Sequence, residues 1–272
     1  MWGIVPAAGR GTRIQPLAFS KELLPVGSRS LNSIERPCAV SEYLIERMVL
    51  GGADKICFVI SPGKSDIMEY FGAAYGTTPI AYVVQPRPSG LCDAVFRAHC
   101  VVEQGGPVVI GLPDTVWFPD GALGQLPDDR LSFLLFPVTR PELFDAVVVH
   151  SDGSVEAIQV KQRNAASNWI WGAIKMPQDV FAALQGLWRE REQQDEYLGT
   201  LVNAYLARGG RAVGIKAGEA YVDVGTLQGY RDAIDLLSRR TAGDRAGPVP
   251  LPLRGSEREQ QTVATYRSLG HD

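Results

Sequence analysis

The residues with most chemical promise cluster near the start of the chain, in "PAAGRGTRIQPLAFSKELLPVG". A run of small residues, Ala7, Ala8, Gly9 and Gly11 with Thr12, follows a short apolar segment and is set among Arg10, Arg13 and Lys21. Backbone N–H groups of such a loop can converge on an anion, and the nearby cations would neutralise it. A plain tight turn is the alternative, since glycine loops after strands are common. Two known phosphate loops do not fit. GxxxxGK[ST] is absent, and Gly9-x-Gly11 runs into Thr12, Arg13 and then Pro16 instead of opening a helix directly. Far along the chain stand two aspartates, Asp114 after the apolar run "VVIGLP" and Asp223 before Val-Gly. Each suits a hard divalent cation shared with substrate oxygens, and each also suits a turn or a helix N-cap.

The elements that must position these groups alternate from the start. Strands are expected over 2–7, 55–60, 80–84 and 107–112, with helices over 40–50, 65–71 and 90–102 between them. Such a succession implies a mostly parallel sheet with right-handed crossovers and helices on both faces. Ligands of these sheets bind beyond the carboxyl ends of the strands, where the glycine loop, Gln85 and Asp114 fall. After 131 the pattern loosens into strands over 132–138, 146–150, 155–161 and 169–176, some of them antiparallel. Helices over 178–188 and 196–208, a strand over 211–215 and a helix over 227–237 close the domain. The expected division is one domain over 1–240, then a Pro/Gly linker and short tail over 241–272, "TAGDRAGPVPLPLRG" leading into a segment able to form one helix.

Composition narrows the classes. The 272 residues are 45% hydrophobic and 21% charged, with a formal net charge of −3. That balance argues against nucleic acid or an anionic membrane as partner. Four cysteines without a CxxC pair and three scattered histidines argue against zinc and read as buried free thiols. No basic-then-apolar leader precedes the first strand, and no apolar run approaches the ~20 residues of a bilayer span. The chain therefore reads as cytoplasmic.

The opening segment as a whole resembles the N-terminal signature of the sugar-1-phosphate nucleotidylyltransferases, among them the UTP–glucose-1-phosphate uridylyltransferases and the glucose-1-phosphate thymidylyltransferases. Further blocks follow in that family's order: "QPRPSGLCDAV", "VVIGLPDTV", "VKQ" and "VDVGTLQGY". The resemblance implies a Rossmann-like nucleotidyltransferase fold over about 1–237. It implies that the loop, with Arg13 and Lys21, wraps a nucleoside triphosphate, that Gln85 meets a pyrimidine edge, and that Gly90 lets backbone approach the base. It further implies that Asp114 and Asp223 hold Mg²⁺ and that Lys161 meets the acceptor phosphate. A homo-oligomer is compatible with it.

The acceptor half departs from the pattern. Val160-Lys161-Gln162 stands in place of Glu-Lys-Pro, Asp145 in place of a glycine, and "EYLGTL" in place of Glu-Ile-Thr-Asp. "SNWIWGAIKM" keeps Asn168 and Gly172 but adds Trp169 and Trp171, which read as core or interface before ligand platform. Such changes alter which acceptor satisfies a buried polar site, so the acceptor is a sugar 1-phosphate or another phosphate or phosphonate, with glucose 1-phosphate in doubt. Two rivals stand beside this reading: a non-catalytic nucleotide or sugar-nucleotide sensor of the same fold, and a glycosyltransferase, whose DxD motif is missing after Asp114.

Overall fold

The computed structural model describes residues 1–31, 34–102 and 106–243. The strands are β1 (Trp2–Pro6), β2 (Pro25–Leu31), β3 (Ile34–Ala39), β4 (Lys55–Ile60), β5 (Ala74–Tyr75), β6 (Thr78–Val84), β7 (Val108–Gly111), β8 (Thr115–Phe118), β9 (Leu131–Pro137), β10 (Asp145–Val149), β11 (Val155–Val160), β12 (Trp169–Met176), β13 (Ala212–Ile215) and β14 (Ala220–Asp223). The helices are α1 (Val40–Leu50), α2 (Ser65–Phe71), α3 (Gly90–Arg97), α4 (His99–Val102), α5 (Gln178–Glu190), α6 (Leu198–Ala207) and α7 (Leu227–Gly243).

Strands β7, β1, β4 and β6 lie side by side and parallel, as the alternation of strand and helix requires. Antiparallel β12 extends the sheet from β7, and β10, β11, β9 and β13 complete it on that side. The central strands are apolar almost throughout because both faces are covered. Their side chains divide by alternation. Ile4, Cys57, Val59, Val108 and Ile110 pack with Val95 and Phe96 of α3, Phe181 and Trp188 of α5 and Leu201 of α6. Val5, Ile56, Phe58, Ile60 and Val109 pack with Leu44, Ile45 and Met48 of α1 and Ile67 and Phe71 of α2.

Several expectations are corrected. The segment 25–39, read without strands, forms the β2–β3 hairpin. Its Val26 and Cys38 bury against Val116 and Phe118 of β8 and Ala233 and Leu237 of α7. Strands β8 and β14, also unexpected, pair antiparallel, with Asp223 opposite Thr115. The single helix expected over 90–102 breaks at Ala98, whose N–H bonds to the Val95 carbonyl in a tightened turn. The helix expected from 196 begins at Leu198. Cys38, Cys57 and Cys92 are buried free thiols, but Cys100 is exposed. Helix α7 runs past the expected boundary at 240 to Gly243; the remainder of the linker and tail, 244–272, lies outside the described residues. Among the described residues no helix is long and apolar enough to cross a membrane.

Candidate active site

The glycine loop leaves β1 at its carboxyl end, tied to the neighbouring strand by the Ala7 N–H donating to the Val59 carbonyl at 2.7 Å. Gly9 is exposed, and a side chain there would meet nothing within 4 Å, so its backbone faces open space. Gly11 has φ +64°, and a Cβ there would fall 2.8 Å from Lys21 Cδ. The loop thus needs glycine at 11 both for its left-handed turn and for the lysine stem laid against it. Thr12 and Arg13 are exposed.

The Lys21 ammonium pairs with the Asp114 carboxylate, and both side chains are largely enclosed. Burial opposes the Lys21 charge, but the carboxylates of Asp114 and then Glu22 outweigh it and raise its pKa above the ordinary value. Burial likewise opposes ionisation of Asp114, yet Lys21 holds its pKa below the ordinary carboxylate range. The second aspartate is brought in by the β8–β14 pair, with the Val224 N–H donating to the Asp114 carbonyl at 2.8 Å. Asp223 accepts from the Gly225 N–H at 2.6 Å and from Arg13 at 3.2 Å. Burial and then the Asp114 charge push the Asp223 pKa up, against the pull of the Gly225 N–H and Arg13. Two carboxylates that repel each other, Asp114 buried and Asp223 half-buried, are held by two cations from the glycine-loop segment, an arrangement that a shared divalent cation would relieve. Among the described residues no cluster of three or more His, Cys, Asp or Glu gathers as a metal cage. Asp114 and Asp223 would suit a divalent cation held jointly with substrate phosphate oxygens, where it would supply charge neutralisation.

Gln85 follows β6, its N–H bonded to the Ile60 carbonyl at 2.8 Å, and its side chain is buried. Its Nε2 donates to Asp93 at 2.6 Å and to the Gly90 carbonyl at 3.2 Å. Gly90 itself has φ +91°, and a Cβ there would lie 2.9 Å from both the Cα and the carbonyl oxygen of Glu196. The close backbone approach at Gly90 is therefore to Glu196, whose carbonyl also accepts from the Leu91 N–H at the start of α3.

On the other side, register places Asp145 opposite Val160 on β10 and β11. Burial raises the Asp145 pKa, moderated by the Lys161 charge and a hydrogen bond from the Trp171 side chain. Lys161 sits in the left-handed region at φ +46°, an unusual conformation for a non-glycine residue. Its N–H bonds to the Phe144 carbonyl at 3.0 Å, and its ammonium lies 4.4 Å from the Tyr197 ring centroid. Asn168 is exposed. Gly172 is packed under aromatic rings: a Cβ would fall 2.5 Å from Phe136 and 3.1 Å from Tyr221. Tyr221 links the halves, since burial and the charges of Asp223, Asp114 and Asp145 all raise its phenol pKa. Trp171 is buried in the core as well as bonded to Asp145.

The structure thus brings Arg13, Lys21, Asp114 and Asp223 together, sets Gln85 at a neighbouring strand end, and leaves Asp145 within reach of the Lys161 charge without a direct contact. Asp93, Glu22 and Lys64 belong to the supporting machinery and were not singled out in the sequence. For Asp93 a signal existed, the Arg97 four residues on along the same helix, which bonds it at 2.8 Å.

The family model for nucleotidyl transferases matches residues 2–240. The chain belongs to the nucleotidyl transferase family. Glucose-1-phosphate thymidylyltransferase of Mycobacterium tuberculosis (strain ATCC 25618 / H37Rv) is 28% identical to this nucleotidyltransferase, over 99% of this chain and 94% of the relative. The thymidylyltransferase of Mycolicibacterium smegmatis is 26% identical over 87% of this chain and 82% of its own length. A UTP-bound UGPase from Acinetobacter baumannii superposes with a TM-score of 0.70 at 20% identity, covering 96% of this chain and 98% of that one. The resemblance read from the sequence to sugar-1-phosphate nucleotidylyltransferases is borne out, as is the Rossmann-like nucleotidyltransferase fold.

Proposed function

We propose that this enzyme transfers a nucleotidyl group from a pyrimidine nucleoside triphosphate (UTP, dTTP or CTP) to a sugar 1-phosphate or a related phosphate or phosphonate, with Mg²⁺. In that reaction an acceptor phosphate oxygen bonds to the α-phosphorus, the bond to the β-phosphate breaks, and pyrophosphate leaves. No side-chain nucleophile is needed, so the protein has to neutralise anions and align them. The observation that carries the reading is the pairing of Lys21 with Asp114 and of Arg13 with Asp223 beside the open backbone at Gly9. Arg13 and Lys21 would stabilise charge on the leaving pyrophosphate, and Lys161 would hold the acceptor phosphate. Asp114 and Asp223 would hold the cation, which when bound supplies further charge neutralisation at the phosphates.

The test is pyrophosphate release across a panel of nucleoside triphosphates and phosphate acceptors, with Mg²⁺ or with chelator. Release that needs a pyrimidine triphosphate, an acceptor and the cation is the expected result. Nucleotide binding without pyrophosphate release under any combination favours the non-catalytic sensor instead.

A further inference from the structure

The amide of Gln85 is not free to choose its orientation. Both of its N–H donors are committed to the protein, one to the Asp93 carboxylate at 2.6 Å and one to the Gly90 carbonyl at 3.2 Å. A carboxylate accepts and does not donate, so an inverted amide would set Oε1 against Asp93 and against a carbonyl. Asp93 is buried and is itself fixed by the Arg97 side chain one helical turn on, at 2.8 Å. Among the described residues no group donates to Gln85 Oε1, and that oxygen is not sealed inside the protein. What Gln85 offers a ligand is therefore an acceptor only.

From this we infer that Asp93, braced by Arg97, is a positioning residue that sets base discrimination through Gln85. The inference builds on the proposed nucleotidyl transfer. Gln85 directly follows β6, which lies two strands from β1 and the glycine loop, or about 10 Å at the usual strand spacing. A nucleoside whose phosphates lie at the loop can reach that far. Uracil and thymine carry an N–H at N3, which an amide oxygen accepts. Cytosine carries a bare nitrogen there, and the two lone pairs would oppose each other. A site that binds a polar edge in this way rejects the analogue that leaves its group unpaired. UTP and dTTP are thus the substrates that fit, and CTP does not.

The experiment measures kcat/KM for UTP, dTTP and CTP, together with calorimetric binding of each, on the wild type, Asp93→Asn and Arg97→Gln. The wild type should prefer the better of UTP and dTTP over CTP by on the order of 100-fold. Asp93→Asn keeps the shape but can donate to Oε1, so it lets the Gln85 amide turn. The preference should drop at least ~10-fold, mostly through a gain for CTP. Arg97→Gln leaves the amide contact in place, loosens Asp93 and should shift the ratio in the same direction by less. A merely structural role would lower all three nucleotides together, and that outcome overturns the inference, as does a wild type that takes CTP as readily as UTP and dTTP. If Asp93→Asn does not fold, the wild-type ratio and Arg97→Gln still decide. A wild type that binds none of the three triphosphates overturns the proposed function itself.

Discussion

The Lys64 ammonium lies 2.7 Å from both carboxylate oxygens of Glu22 and donates at 2.7 Å to the carbonyl of Ala7. One buried cation thus joins the end of β1, the residue beside Lys21, and the start of α2. Glu22 is 1% exposed, so its charge depends on this partner. Removing one member of a buried pair leaves the other uncompensated, at a cost of about 3–5 kcal/mol. Lys64→Met should lose about that much unfolding free energy in a denaturant titration. The double variant Lys64→Met/Glu22→Gln should recover a substantial part of it, because the orphaned charge is gone. A single variant within about 1 kcal/mol of wild type would show that the pair does not hold the loop.

Asp114 sits where charge matters more than shape. Asp114→Asn preserves the fold of the β7–β8 connection but removes the partner of Lys21 and one of two proposed cation ligands. Turnover at saturating Mg²⁺ should fall at least ~100-fold, in line with several kcal/mol of lost charge stabilisation. Steady-state pyrophosphate release checks this, and near-normal turnover would withdraw Asp114 from the metal assignment.

Legibility in the sequence followed how local the decisive contacts are. β1, α1 and β4 were readable because their apolar runs and helical spacing are complete within each segment. The β2–β3 hairpin was not, because its middle reads Gly-Ser-Arg-Ser and its apolar partners Ala233 and Leu237 lie some 200 residues on. Asp223 is legible as a site residue, but the strand that carries it is not. β14 is only half-buried and gains its register from β8 alone. Lys64 reads as a solvated cation in "SPGKSD", since nothing in that stretch announces Glu22. Gln85 was visible, but the constraint on its amide was not, since that arises only when α3 folds back to place Asp93 beside it.

Glu42 gives the fold a titration signature. Its carboxylate accepts from Arg36 at 2.9 and 2.6 Å, from Tyr70 at 2.6 Å and from the Ala39 N–H at 3.0 Å, at the start of α1. Burial opposes ionisation, but the Arg36 and Tyr70 hydrogen bonds prevail and hold its pKa below the ordinary 4.5. With the folded pKa depressed, the unfolded chain binds more protons between the two values. The stabilisation is therefore complete above the ordinary value and lost as pH falls through the folded one. Unfolding free energies measured at intervals from pH 7 to pH 3 should show wild type ahead of Glu42→Gln at neutral pH. That lead should shrink below about pH 4.5. A gap that stays constant across the range would remove Glu42 from the acid response.

The acceptor half supports the most specific expectation. Asp145 lies opposite Val160 on paired strands, Lys161 follows Val160 with its N–H on the Phe144 carbonyl, and the Lys161 ammonium is held over the Tyr197 ring. A lysine kept in a left-handed backbone conformation is an observed strain of the sort that gathers at ligand sites. If it binds the acceptor phosphate, Lys161→Ala should raise the acceptor KM at least ~10-fold while the nucleoside triphosphate Kd stays within about twofold. Equal losses for both substrates would place Lys161 outside the acceptor subsite. The same geometry bears on acceptor identity. Val160 offers no hydrogen bond to a sugar hydroxyl, and the Asp145 carboxylate already accepts from Trp171. Each hydroxyl left unbonded removes roughly 1 kcal/mol of discrimination in favour of a sugar. Glucose 1-phosphate should therefore be a poor acceptor beside the true one in a panel assay. A glucose 1-phosphate kcat/KM on the order of 10⁵ M⁻¹s⁻¹, ordinary for an enzyme on its own substrate, would instead show that Asp145 and Val160 accommodate the hexose.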